Sequence, residues 1–146
     1  VYSLTEKADA LFPKTYDALA AVLLEEIRCS QGNERLHDLL HKVAERMAAP
    51  YVERIEGRPL PERVRETARI MEEQGCLVDV RESDGEYYID EFTCPFPKVA
   101  QQDRSVCALH VDFVRVLTGG DTRLTQSLLR GERACCYRIR SGAGRA

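Results

Sequence analysis

The chain has 146 residues and a formal net charge of −3 at pH 7, enough length for one ordinary domain with its own core. At 44% apolar and 31% charged it has the profile of a soluble globular protein, and its acidic balance argues against this segment itself gripping nucleic-acid phosphates. No apolar run approaches the ~18 residues of a membrane span, no secretory signal is visible, and a start at Val1 instead of Met reads as a processed chain or a piece of a longer one.

Val1, Tyr2 and Leu4 read as a short extended stretch, followed by a helical start at Thr5-Glu6-Lys7 and a break at Phe12-Pro13. Pro13 suits the first turn of a helix, where its missing N–H costs nothing. Tyr16, Leu19, Ala20, Leu23, Leu24 and Ile27 then form an apolar stripe at helical spacing. Gln31-Gly32-Asn33 predicts a turn, with Asn33 placed to cap a second helix carrying Leu36, Leu39, Leu40, Val43 and Met47 on one face. Two amphipathic helices joined this way suit a helical hairpin or a long dimer-forming arm.

Pro50 and Gly57-Arg58-Pro59-Leu60-Pro61 mark a boundary, after which Pro61 opens a helix with Val64, Ala68 and Met71 inward and Gly75 as its stop. The period then changes to two. Cys76, Val78 and Val80 alternate with Leu77, Asp79 and Arg81, Ser83-Asp84-Gly85 makes a turn, and residues 87–92 return as a second strand of a β-hairpin. A helix is expected from Ser105 to Leu117, closed by Gly119-Gly120, then a short helix capped by Asp121 and ending before Gly131. Ala134 to Arg140 reads as a last strand, and residues 141–146 as a disordered tail. The fold class is α+β: helical hairpin or dimerisation helices, then a small antiparallel sheet packed with helices.

Six cysteines without a secretory signal point to metal binding or redox response in a reducing, cytoplasmic setting. The alternative for each is a small buried hydrophobe. Cys94 follows a strand in Thr93-Cys94-Pro95-Phe96-Pro97, where Pro95 keeps the backbone extended. Cys107 lies in the first turn of its helix, where the backbone dipole favours a thiolate, and His110 sits on the same helical face. Cys135 and Cys136, as strand neighbours, point to opposite faces. Cys135 shares its face with the core-like Tyr137 and Ile139, which favours Cys136 as the ligand. Three Cys with one His is a tetrahedral zinc set, and three Cys with another ligand can hold an iron–sulfur cluster. Cys29 and Cys76 read as structural, and His37 and His41 as part of a solvated helix face.

The opening Tyr2-Ser3-Leu4-Thr5-Glu6-Lys7-Ala8 and Leu11-Phe12-Pro13-Lys14-Thr15-Tyr16 resemble the junction in bacterial winged-helix regulators of the ArsR/DeoR-like group, which includes the SufR repressors of iron–sulfur assembly genes. Cys94-Pro95-Phe96, Val106-Cys107-Ala108-Leu109-His110, Leu117-Thr118-Gly119-Gly120 and Cys135-Cys136-Tyr137-Arg138-Ile139 resemble the effector domain of the same family. The resemblance implies residues 1–12 as the end of a winged-helix domain, 13–50 as dimerisation helices and 51–146 as a cysteine-containing sensor domain. It further implies a homodimer, contact with DNA through an N-terminal domain absent from this chain, and an iron–sulfur cluster whose state controls DNA binding. Cys94 and Cys107 match the first two cluster positions. The third falls at Asp121, a departure that leaves a three-Cys site completed by Asp121, His110, water or a small thiol. The last falls at Cys136 by spacing or at Cys135 by its place two before an aromatic residue. Zinc, or no metal, is the alternative occupancy.

A second resemblance is to the vinyl-reductase type of small-molecule effector domain, with structural cysteines and a pocket lined by Tyr87, Tyr88, Phe92, Phe96 and Phe113. An enzyme using Cys107 as nucleophile and His110 as base lacks a third orienting residue, a phosphate loop and paired carboxylates. The expectation is a protein without catalytic turnover.

Overall fold

The computed structural model describes residues 2, 5–9, 11 and 14–142, apart from the side chain of Asp9. The predicted break at Phe12-Pro13, much of the winged-helix remnant and most of the predicted disordered tail therefore lie outside the described residues.

A single turn, α1 (Glu6–Asp9), precedes the long helical segment α2 (Tyr16–Ala48), which breaks at Gly32 with φ +82° and ψ 168°. An L side chain rarely adopts that φ, so the glycine sits where the chain needs it. The two halves are the two predicted helices, and Ala20, Leu24 and Ile27 of the first line one apolar groove with Leu36, Leu40 and Met47 of the second. The buried face of the second half is Leu36, Leu40, Ala44 and Ala48, an i, i+4 row narrower than the predicted stripe. Tyr16, Leu19 and Leu23 of the first stripe are 74%, 57% and 53% exposed, so only part of that stripe is spent on this chain's core.

A 3₁₀ turn (Ala49–Tyr51) and α3 (Val52–Ile55) lead to α4 (Leu60–Glu73), whose Val64, Thr67, Ile70 and Met71 have no exposed surface. The hairpin follows as expected: β1 (Val78–Ser83) and β2 (Glu86–Glu91) are antiparallel, with Ser83 opposite Glu86 across the two-residue Asp84-Gly85 turn. Next come α5 (Pro97–Gln102) and α6 (Ser105–Thr118). The segment after Gly120 differs from its prediction. It forms a strand, β3 (Asp121–Gln126), and only residues 128–130 make a short 3₁₀ turn. A Cβ on Gly120 would lie 2.7 Å from the carbonyl oxygen of Arg140, so the chain is already against the neighbouring strand and has no room to start a helix. Thr122 and Leu124 turn inward while Arg123 stays exposed, the period-two pattern of a half-buried strand.

The last strand, β4 (Cys135–Arg140), completes an antiparallel sheet of order β1-β2-β4-β3. One face of the sheet carries α4 and α6, and α2 packs on the far side of α6. The architecture is α+β, as the sequence predicts. Because α6 is covered from both sides, its Leu109, His110, Phe113, Val114 and Leu117 are all buried, which puts His110 in the centre of the molecule. Arg28 of α2 donates to both oxygens of Asp103 at 2.7 Å, and Asp103 in turn accepts from the backbone N–H and hydroxyl of Ser105. That clamp fixes α2 to the start of α6. No helix among the described residues is long and apolar enough to cross a membrane.

Candidate metal-binding site

Strand pairing sets the site. In the β2–β4 register Glu91 lies directly opposite Cys135, and Asp90 opposite Cys136. Side chains alternate along a strand, so the first pair faces α6 with Ile89 and Tyr137, and the second faces away from it. Cys94 comes from the loop after β2, and Cys107 and His110 from the first two turns of α6. Together Cys94, Cys107, Cys135, Glu91, His110 and Tyr137 wall one cavity of about 20 Å³, closed by Phe96, Ala100, Val106 and Leu124. That is room for about one water or one ion.

Below the thiols is a buried polar chain. The Tyr137 hydroxyl donates to Oε2 of Glu91 at 3.0 Å and lies 3.0 Å from Nδ1 of His110, which is itself 3.4 Å from Oε2. A phenol has one proton, so if Tyr137 donates to the carboxylate it accepts from the Nδ1–H of His110. Phe113 stacks on the imidazole and Phe96 meets it edge-on, with centroids at 5.9 and 6.2 Å. Glu91 is 1% exposed, and its Oε1 has no hydrogen-bond partner among the described residues. A buried, unpaired carboxylate oxygen is costly unless a cation or a proton answers it.

The thiols are free and held towards their protonated forms. Burial pushes Cys94, Cys107 and Cys135 above the ordinary thiol range, and each is raised further by neighbouring thiols or by Glu91. At Cys107 this outweighs the help from the helix start and Arg104, so the thiolate expected from the helix dipole is not favoured in the metal-free protein. Cys76, predicted as merely structural, stands beside Glu91, and burial and that carboxylate push its thiol up to about 12. It makes no well-directed hydrogen bond to the free oxygen. The Tyr137 hydroxyl is likewise raised, by burial and then Glu91.

The structure thus brings together Cys94, Cys107, Cys135 and His110, and separates two other predicted residues from them. Cys136 is 2% exposed but on the opposite sheet face, where Arg81 donates to its sulfur at 3.3 Å and pairs with Asp90 at 2.6 Å. The expectation that Cys135 is core is right about the face, and it is Cys135, not the favoured Cys136, that lines the cavity with Cys94 and Cys107. Asp121 pairs with Arg140 across β3 and β4 and makes an ion pair with Arg123 at 3.6 Å. Five residues of strand, roughly 17 Å, separate Arg140 from Cys135, so Asp121 is no part of the cavity wall. Sequence reasoning overlooked Glu91 and the polar role of Tyr137. The available signal was parity: Glu91 is a charged residue in phase with Ile89 on the inward face.

Other predicted groups do not assemble. Tyr88 lies under Arg81 on the outer face, with the guanidinium 4.3 Å from its ring centre, Phe92 is 41% exposed, and Phe113 is fully buried, so the aromatic residues named for an organic-ligand pocket share no common wall. His41 faces Asp112 and Glu45 on the surface.

No three His, Cys, Asp or Glu side chains among the described residues stand ready-made for coordination. They surround a shared cavity instead, so ligation requires side-chain rotation towards its centre. With that movement the donors suit a thiophilic cation: three thiols soft enough for zinc or iron–sulfur chemistry and an orphaned buried carboxylate oxygen whose charge a cation would answer. The chain matches no protein-family model, and no curated protein is similar enough to assign it to a family.

Proposed function

We propose that this chain is the sensory, effector part of a bacterial transcriptional regulator, and that Cys94, Cys107 and Cys135 hold a metal centre, either an iron–sulfur cluster or a zinc ion, whose presence controls DNA binding. The observation that carries this reading is the convergence of three thiols from three separate segments onto one closed cavity. A bound cation of this type would supply the positive charge that stabilises three thiolates together. The cavity as it stands has the volume of a single ion; a cluster requires the loop carrying Cys94 to move outward.

That loop supplies a route out of the site. Phe96, two residues after Cys94, walls the thiol cavity and also the apolar groove beneath both halves of α2. Its neighbours Pro97 and Lys98 face the first turn of α2, where Lys98 lies 3.7 Å from Asp17. Displacement of Cys94 is therefore passed to α2 through Phe96. In this reading α2 leads back to a DNA-binding domain preceding residue 1, the exposed Tyr16, Leu19 and Leu23 dimerise two copies, and the protein works in the cytoplasm without catalytic turnover.

The test is elemental analysis of anaerobically purified protein, with Cys94→Ser and Cys107→Ser in parallel. Iron with sulfide, or zinc, near one centre per chain in the unaltered protein and its loss in both variants is expected. Protein free of iron and zinc would contradict the reading. A second reading, an effector domain for an apolar organic ligand, is favoured by the groove of about 350 Å³ between α2, α5 and α6. It predicts that the same substitutions leave regulation intact.

A further inference from the structure

We infer that Glu91 completes the three-thiol centre as its fourth ligand, through Oε1. This rests on the metal-binding reading above and adds a residue to it. Glu91 lies directly across the β2–β4 ladder from Cys135, and opposed side chains on one face have Cβ atoms about 4.5–5.5 Å apart. It shares the cavity wall with all three thiols. Its two oxygens are unequal. Oε2 accepts from Tyr137 at 3.0 Å, with His110 behind it, while Oε1 is buried and unpartnered among the described residues.

That asymmetry is how a ligating carboxylate is held: one oxygen fixed by hydrogen bonds from behind, the other left for the cation. Tyr137 and His110 are then positioning residues. His110 turns Nδ1 to the tyrosine and the carboxylate, and its ring is packed among Phe96, Phe113 and Tyr137. Cys76 lies beside Glu91 but is not on the cavity wall. The resulting donor set is three sulfurs and one oxygen, with the thiol protons released to solvent on loading.

The experiment loads the whole chain anaerobically with zinc, and separately with ferrous iron plus sulfide. Affinity is measured by chelator competition for the unaltered protein, Glu91→Gln, His110→Gln and Cys76→Ala. Glu91→Gln is expected to weaken metal binding at least about tenfold, while cobalt(II) substitution still shows a thiolate-to-metal charge-transfer band. X-ray absorption of the unaltered zinc form, which needs no variant to fold, should show three sulfurs at about 2.3 Å and one oxygen at about 2.0–2.2 Å. Unchanged affinity in Glu91→Gln, a shell of four sulfurs, or an imidazole scattering pattern lost in His110→Gln overturns the assignment but leaves the three-thiol centre standing. Equal weakening in Cys76→Ala assigns the fourth position to that thiol and also overturns it. Failure of the unaltered protein to take up either metal overturns both the assignment and the reading it rests on.

Discussion

The two faces of the β2–β4 ladder carry nearly the same chemistry in opposite surroundings. Glu91 opposite Cys135 and Asp90 opposite Cys136 are successive carboxylate–thiol pairs, one residue apart along the strands. On the outer face Arg81 reaches both partners. Burial alone would raise the Asp90 carboxyl, but the hydrogen bonds from Arg81 and Cys136 outweigh it and hold the group below its usual range. On the inner face no arginine or lysine reaches Glu91 among the described residues: one oxygen accepts from Tyr137, and the other has no well-directed hydrogen bond, with only the raised Cys76 thiol beside the carboxylate. The outer pair has its cationic partner in Arg81, and the inner pair has none among the described residues. Side-chain parity alone separates a structural ion pair from a candidate ligand site.

The comparison can be broken most severely through packing. Ile89 has no exposed surface, whereas its neighbour Tyr88 lies under Arg81 on the outer face. Ile89→Ala should cost about 2–5 kcal/mol in urea unfolding, and Tyr88→Ala about 1 kcal/mol or less; equal losses would mean that the two faces are not distinct. Next in size is Tyr137→Phe. It deletes the hydroxyl between Glu91 and His110 and leaves buried polar groups short of a partner, at about 1–3 kcal/mol. Metal-free protein should show that loss; a variant as stable as the parent would contradict the buried chain.

The smallest effect belongs to the outer ion pair, whose arginine is about half exposed. Asp90→Asn should cost at most about 1 kcal/mol at neutral pH. Because the Asp90 pKa is lowered on folding, its contribution is present above the ordinary carboxyl pKa and fades as pH falls through the depressed one. The stability gap between parent and variant should therefore close in acid. A gap that widened in acid would reverse the sign of the interaction.

How much of this was legible beforehand varies by element. The Asp84-Gly85 turn, α4 between its prolines and Gly75, and α6 follow from local signals, since turn chemistry and helix period act over a few residues. Cys94, Cys107 and His110 were readable as site candidates for the same reason: a loop thiol before Pro95, and two groups on one helical face. β3 was not, because Asp121 after two glycines looks like a helix cap and only its long-range pairing with β4 decides otherwise. Cys135 reads from the sequence as inward-facing and therefore as packing, with Cys136 favoured over it, because an inward face says nothing about the cavity that the Cys94 loop and α6 close against it. Glu91 needed both its parity and its cross-strand partner, and the partner comes from residues 44 positions away in the chain.

The decisive measurement for a centre on the inner face is the metal content of Cys135→Ser and Cys136→Ser, purified anaerobically side by side with the unaltered protein. Cys135→Ser is expected to lose the iron or zinc, and Cys136→Ser to keep the parental amount. Loss in Cys136→Ser with retention in Cys135→Ser, or retention in both, would contradict that placement.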